Sequence, residues 1–336
     1  MLVEKCDFLS RRRLRASSSR MYQVVNSTKL YIPSVEIGLW GGEVKAKLKF
    51  DQLEKEYTLK FKKNQTGGTQ ICQDFREDVF VENSDYMVEG IDWFRQMCLQ
   101  KNVTIGRLEI EAIFNPQKVE KTLDLVLRKS ETPLKIKSIF CVGMTTADIM
   151  WKIMHYSDKK VLKEMKVKHR KARSLVSSEI PMVFDLCRNL KKIEMECTCI
   201  VSDEDLLALN ASVIVLKFEN FSEDLIYKLI EKFTNRREEG SAFWIVDSKW
   251  AHRKQKLSFK AIPPGLEKVF CQNGYENYQL IDTNKPTVSL RLSDCEVILE
   301  IGDTSKADFW IDDPDYDLLD DRAFDESDSE DDEDEF

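Results

Sequence analysis

The sequence predicts an α/β fold: an irregular leucine-rich-repeat-like solenoid of stacked strand–helix units with a parallel inner sheet. Helices precede it and a disordered acidic tail follows it. Three observations carry this. A short apolar pattern recurs through the middle of the chain, as Ile105, Leu108 and Ile110, then Ile136, Ile139 and Cys141, then Leu162, Met165 and Val167. It returns as Leu190, Ile193 and Met195, as Val213, Leu216 and Phe218, and more weakly from Ala242 with Ile245. The starts are separated by 31, 26, 28, 23 and 29 residues, a leucine-rich-repeat length. Between the copies lie segments with helical caps and apolar stripes. Finally, charge is divided: Asp308 to Phe336 holds 16 Asp or Glu and one Arg, a net of -15 out of a whole-chain -8. The remaining body is mildly basic.

Length, 336 residues, allows one large domain or two ordinary ones, and 42% hydrophobic residues suffice for a sizeable core. No apolar run approaches the ~18 residues of a membrane helix, so no membrane partner is expected. The first residues are charged and lack an apolar h-region, so no signal peptide is expected. Nine cysteines without framework spacing fit reduced thiols, hence a cytoplasmic or nuclear location.

The elements follow in order. Residues 1–30 read as helices, and Leu2, Cys6, Leu9 and Leu14 fall near one side. Residues 31–104 hold opening strands and a helix, with strands centred near Lys47 and Leu59. Residues 105–248 are the strand–helix units. Each copy ends in strict alternation, as in "LKKIEMEC", which is strand chemistry with one inward face. Leu108, Ile139, Met165, Ile193 and Leu216 are expected at equivalent buried positions. Asn115-Pro116 begins one helix, with Pro where the first turn needs no N–H. Thr145 with Asp148 and Ser202 with Asp205 resemble capping boxes, and Ile226, Leu229, Ile230 and Phe233 stripe the helix after Ser222. A single unit cannot bury its own apolar face, so the units must stack. The copies lack the Asn of standard leucine-rich repeats, which predicts a short, uneven arc. Residues 249–306 form a C-terminal cap with a hairpin of Val288, Leu290 and Leu292 against Val297, Leu299 and Ile301, turning at Ser293-Asp294. Residues 307–336 cannot bury enough apolar surface to offset chain entropy and are expected to be disordered. Ser327 and Ser329 there precede acidic residues, the chemistry acidophilic kinases favour.

The opening "RRRLRASSSRMYQVVNSTKLYIPSVEIG" resembles the second half of an F-box: Leu14-Arg15, Ser19-Arg20, Val24-Val25 and Ser27 stand where that family has its Arg/Leu-rich run and closing helix. "CLQKNVTIGRLEIEA", "ETPLKIKSIFCVG" and "LKEMKV" sit where the FTH domain of the F-box/FTH family repeats its strand–helix units. The resemblance covers most of residues 1–302. It implies a substrate-recognition adaptor that recruits an unknown protein substrate to a Skp/cullin ubiquitin ligase. Leu2, Cys6, Leu9 and Leu14 are then the candidate adaptor contacts. The Leu-Pro motif and first helix of an F-box are not seen ahead of them, so binding to a Skp-type adaptor is expected to be weak or lost.

Chemistry is sparse. The histidines, His155, His169 and His252, have no paired metal-ligand spacing. Cys197 and Cys199 alternate with Met195 along a predicted strand, which favours buried thiols over a zinc site. "QTGGTQ" at 65–70 lacks the Lys-Ser/Thr of a phosphate loop and reads as a turn. No catalytic residue, metal or cofactor is expected. Two basic runs stand out: Lys166, Lys168, Arg170, Lys171 and Arg173, and then Arg253 and Lys254 within "KWAHRKQK". They suit a solvated rim, or phosphate contacts of a nuclear nucleic-acid- or chromatin-associated protein whose acidic tail is autoinhibitory.

Overall fold

The apolar triplets lie side by side in one hydrogen-bonded sheet: Leu108 is opposite Ile139, Ile139 opposite Met165, and Met165 opposite Ile193. The computed structural model describes residues 8–50, 56–73, 77–98, 102–112, 116–130, 132–142, 146–168, 180–218, 222–247, 262–272, 275–282, 284–293 and 296–304.

Two helices come first, α1 (Phe8–Ser17) and α2 (Ser19–Ser27). An antiparallel meander follows: β1 (Leu30–Trp40), β2 (Glu43–Lys49), β3 (Tyr57–Lys63), β4 (Thr69–Gln73) and β5 (Val79–Val81), closed by α3 (Tyr86–Cys98). Strands and helices then alternate. The order is β6 (Val103–Ala112), α4 (Pro116–Leu127), β7 (Ile136–Val142), α5 (Thr146–Tyr156), β8 (Glu164–Lys168), the short β9 (Ile180–Pro181) and α6 (Phe184–Cys187). Next come β10 (Lys192–Ile200), α7 (Asp203–Ala208), β11 (Val213–Phe218), α8 (Glu223–Arg236) and β12 (Ala242–Asp247). A second antiparallel meander ends the described chain: β13 (Glu267–Gln272), β14 (Tyr275–Asp282), β15 (Lys285–Leu292) and β16 (Glu296–Ile301).

All belong to a single 16-stranded mixed sheet. Its middle, β1–β6–β7–β8–β10–β11–β12, is parallel, and both flanks are antiparallel. The expected parallel sheet is therefore the centre of a larger mixed one. Segments 31–104, 105–248 and 249–306 share that sheet and one continuous apolar core.

Helix starts match their chemistry. Ser202 and Ser222 cap α7 and α8, accepting from the amides of Asp205 and Leu225. Asp85 does the same for α3, through the amides of Met87 at 2.9 Å and Val88 at 3.3 Å. The helices gather on one face. α3 lies against β2, β3, β4 and β6, α5 against β6 and β7, and α8 against β16. Gly90 of α3 is the closest approach, since a Cβ there would sit 2.7 Å from Val44 Cγ1.

Two expectations need correcting. Ile193 is opposite Ile214, and Leu216 is opposite Met195, so the fifth triplet is Ala211, Ile214 and Leu216. Val213 and Val215 are apolar too but sit on the other face, which disguises the phase in the sequence. The triplets also begin earlier than the spacing suggests. Ile32, Val35 and Ile37 of β1 pair with Ile105, Leu108 and Ile110, although a meander and a helix separate the two strands in sequence. The C-terminal hairpin is present, but as half of a four-strand meander. The Asn115 and Thr145 caps, and the tail from Ser305, lie outside the described residues.

Candidate interaction face

The strand face away from the helices carries alternating side chains in rows across the sheet. One row runs Lys47, Glu36, Glu109, Phe140, Lys166, Glu194, Val215, Trp244 and Ile298. The neighbouring row holds Ser34, Arg107, Ser138, Glu164 and Lys192. Both arise from period-2 geometry: the residues between them are the buried triplets.

Many charges on this face are paired with one another. Glu194 is fully buried, and its two carboxylate oxygens meet Lys166 Nζ at 3.0 Å and Lys192 Nζ at 2.8 Å. Arg107 lies 4.5 Å over the Phe140 ring, with Lys166 5.7 Å from the same ring. Arg107 also pairs with Glu109 at 3.2 Å. Lys137 stands 4.9 Å from the ring of Tyr31, itself half-exposed. Gly106 makes room for Tyr31: a Cβ there would come within 2.6 Å of the Pro33 carbonyl and would collide with the Tyr31 hydroxyl. At the far end Val213, Val215, Trp244 and Ile298 form a small buried apolar cluster. Trp244 Nε1 donates to Glu296 at 2.8 Å, and the Tyr275 hydroxyl donates to the same carboxylate. Burial pushes the Glu296 carboxyl above its ordinary range despite the Trp244 hydrogen bond.

The α1–α2 pair sits at the N-terminal ends of β1 and β6. Asn102 Nδ2 donates to the Asn26 carbonyl at 2.6 Å, and the buried Arg11 donates to the Lys29 carbonyl at 2.9 Å. Arg15 lies 4.7 Å over the Tyr22 ring and donates to its hydroxyl, which lowers the Tyr22 pKa. A cavity of about 120 Å³ separates the pair from α3, lined by Arg11, Arg15, Asn26, Trp93, Met97 and Asn102 among others.

Of the residues singled out from sequence, Lys166 and Lys168 are on β8, in the middle of the open face. Both are engaged: Lys166 holds Glu194, and Lys168 also has a partner. Arg170, Lys171, Arg173, Arg253, Lys254, Ser327 and Ser329 lie outside the described residues, as do Leu2 and Cys6. Leu9 belongs to α1, though nothing of its side chain is described, and Leu14 is half-buried on α1. "QTGGTQ" is a turn, with Gly67 and Gly68 at φ of 95° and 84°. The thiol of Cys187 is buried against Met165 and pushed up to about 12, and Cys199 is buried beside Met195. Among the described residues no cluster of three His, Cys, Asp or Glu stands in a metal-holding arrangement, and no helix is long and apolar enough to cross a membrane. Sequence reasoning missed Glu194, Phe140 and Arg107. The signal was present: each occupies the outward phase of a strand whose inward phase is recognisable.

No family model, curated protein or solved structure matches the chain. The geometry defines an α/β protein with one helix-covered sheet face and one charged, aromatic-bearing face.

Proposed function

We propose that this chain is a non-catalytic protein-interaction module. In this reading it is a short, irregular leucine-rich-repeat-like solenoid acting as an F-box-type substrate adaptor of a Skp/cullin ubiquitin ligase. The α1–α2 pair is the adaptor side, and the strand face without helices presents to a substrate protein. The observation that carries the reading is the mosaic on that face. Side chains there form a surface on which basic, acidic and aromatic residues are interspersed, and a protein partner of mixed charge fits it. Support also comes from apolar triplets held in register across the parallel strands, and from the resemblance of "RRRLRASSSRMYQVVNS" to the end of an F-box.

A nucleic-acid-binding reading has one observation in its favour: cations and aromatic rings share the open face at Phe140 and Tyr31. Against it, Glu36, Glu109 and Glu164 interrupt the same rows, where phosphates would be repelled. Titration of the chain with a purified Skp-type adaptor separates the two. Saturable binding, even if weak, supports the adaptor reading. No binding at any adaptor concentration, together with nucleic-acid affinity that falls steeply with salt, contradicts it.

A further inference from the structure

We propose that the outer face of β2 and β3 is a docking track for an extended acidic segment of a partner protein. The inference rests on the interaction-module reading and assigns a chemistry to one stretch of the face.

Lys45, Lys47 and Lys49 alternate along β2 with the buried Val44, Ala46 and Leu48. Lys60 and Lys62 alternate along β3 with the buried Leu59 and Phe61. Val44 and Phe61 are the residues that α3 approaches at Gly90, so all five lysines point away from the helices. Three glutamates neutralise part of this charge. Lys47 is 3.7 Å from Glu36 and 3.6 Å from Glu56, Lys49 pairs with the same two, and Lys62 is 3.9 Å from Glu43. Lys45 and Lys60 differ. They are directly opposite in register, and neither has a carboxylate within ion-pair distance among the described residues. The Lys45 ammonium stands 6.0 Å from the centre of the Trp40 ring.

Like charges directly opposite on neighbouring strands cost stability. A single Lys→Glu change at either position would remove that cost, yet the rung is Lys–Lys. The rung sets two ammonium stems about 5 Å apart at their Cβ atoms across the strands, and along β2 and β3 the neighbouring lysines recur every ~6.8 Å, the interval at which acidic side chains at alternate residues of an extended peptide recur. A polypeptide can set neutral residues opposite Glu36, Glu43 and Glu56. A nucleic acid brings a phosphate to every position and meets those carboxylates, so the observations favour a peptide.

The test uses the full chain and a fluorescein-labelled ten-residue peptide of alternating Glu and Thr, followed by fluorescence anisotropy at low salt. Binding is expected, weakening with added salt. Lys60→Glu should reduce affinity by about tenfold or more by setting a carboxylate against the acidic peptide. The same change places a carboxylate directly across from the Lys45 ammonium, so the melting temperature should hold or rise. Loss of binding without loss of stability is the predicted signature. Absence of peptide binding by the wild type, unchanged affinity in Lys60→Glu, or tighter capture of single-stranded oligothymidylate at the same lysines would each overturn the track. Binding of Lys60→Glu to a Skp-type adaptor is read separately. The α1–α2 pair lies at the N-terminal end of β1, whereas Lys45 is opposite Gly38, near the other end of that strand. The track can therefore fail while the adaptor reading stands.

Discussion

Gly90 sits in the interior of α3, where alanine ordinarily stabilises a helix by about 1 kcal/mol. Here the missing methyl is what lets the helix approach Val44 and Phe61. Gly90→Ala should therefore destabilise the protein by about 1–3 kcal/mol through overpacking, read as a lower urea midpoint at unchanged slope. Nothing in "MVEGIDWF" announces this, because the contact is with a strand about 45 residues away in sequence. Glu194 makes a second residue-level claim. Removing its carboxylate by Glu194→Ala strands two ammonium groups beside a buried site and should cost about 3 kcal/mol, whereas Glu194 and its partners together contribute far less. Glu296 gives a pH dependence. Burial raises its folded-state pKa above the ordinary 4.5, so its protonated form is the one the fold prefers. Its contribution is fully present below the ordinary carboxylate pKa and is lost as pH rises through the raised value. The melting temperature of Glu296→Gln should therefore gain on wild type as pH climbs from 4 towards neutrality; a constant difference would contradict the burial argument.

At the scale of elements, each strand's inward phase is legible wherever only one face is apolar. β8 shows it most plainly, with Met165 and Val167 inside and Glu164, Lys166 and Lys168 outside. The phase of β11 is ambiguous in sequence because both of its faces are apolar, and only the pairing with β10 fixes the register. β14 escapes sequence reading for the opposite reason: "YENYQLID" has no alternation, and its residues are almost all half-buried. The helix starts are legible from their Ser caps. Ser222→Ala should remove the bond to the Leu225 amide and cost about 1 kcal/mol, a shift that thermal unfolding can resolve. α8 ends at Arg237 in a left-handed conformation, φ 48°, and that side chain donates to the carbonyls of Pro286 and Leu280 and pairs with Asp282 at 3.2 Å. This tie between the last long helix and the C-terminal meander has no sequence signature, since its partners are more than 40 residues away.

For the whole molecule, the sequence shows that strand–helix units stack, because the triplet spacing forces it. It does not show that both flanking meanders extend the same sheet, because antiparallel edges are set by pairings that leave no periodic trace. The basic runs illustrate how the site is half legible: Lys166 stands out for its charge, but its role as partner to a buried glutamate depends on the pairing of β8 with β10, 28 residues further on. The proposed division of labour, with α1–α2 facing a Skp-type adaptor and the strand face left for substrate, makes a spatial statement that one measurement reaches directly. Hydrogen–deuterium exchange of the full chain, with and without purified adaptor, reports where the contact forms. Slowed exchange confined to residues 1–27 is predicted, emerging only at high adaptor concentration because the contact is expected to be weak, with β6 to β12 unchanged. No change anywhere at saturating adaptor, or protection on the strands in place of α1–α2, would contradict the account.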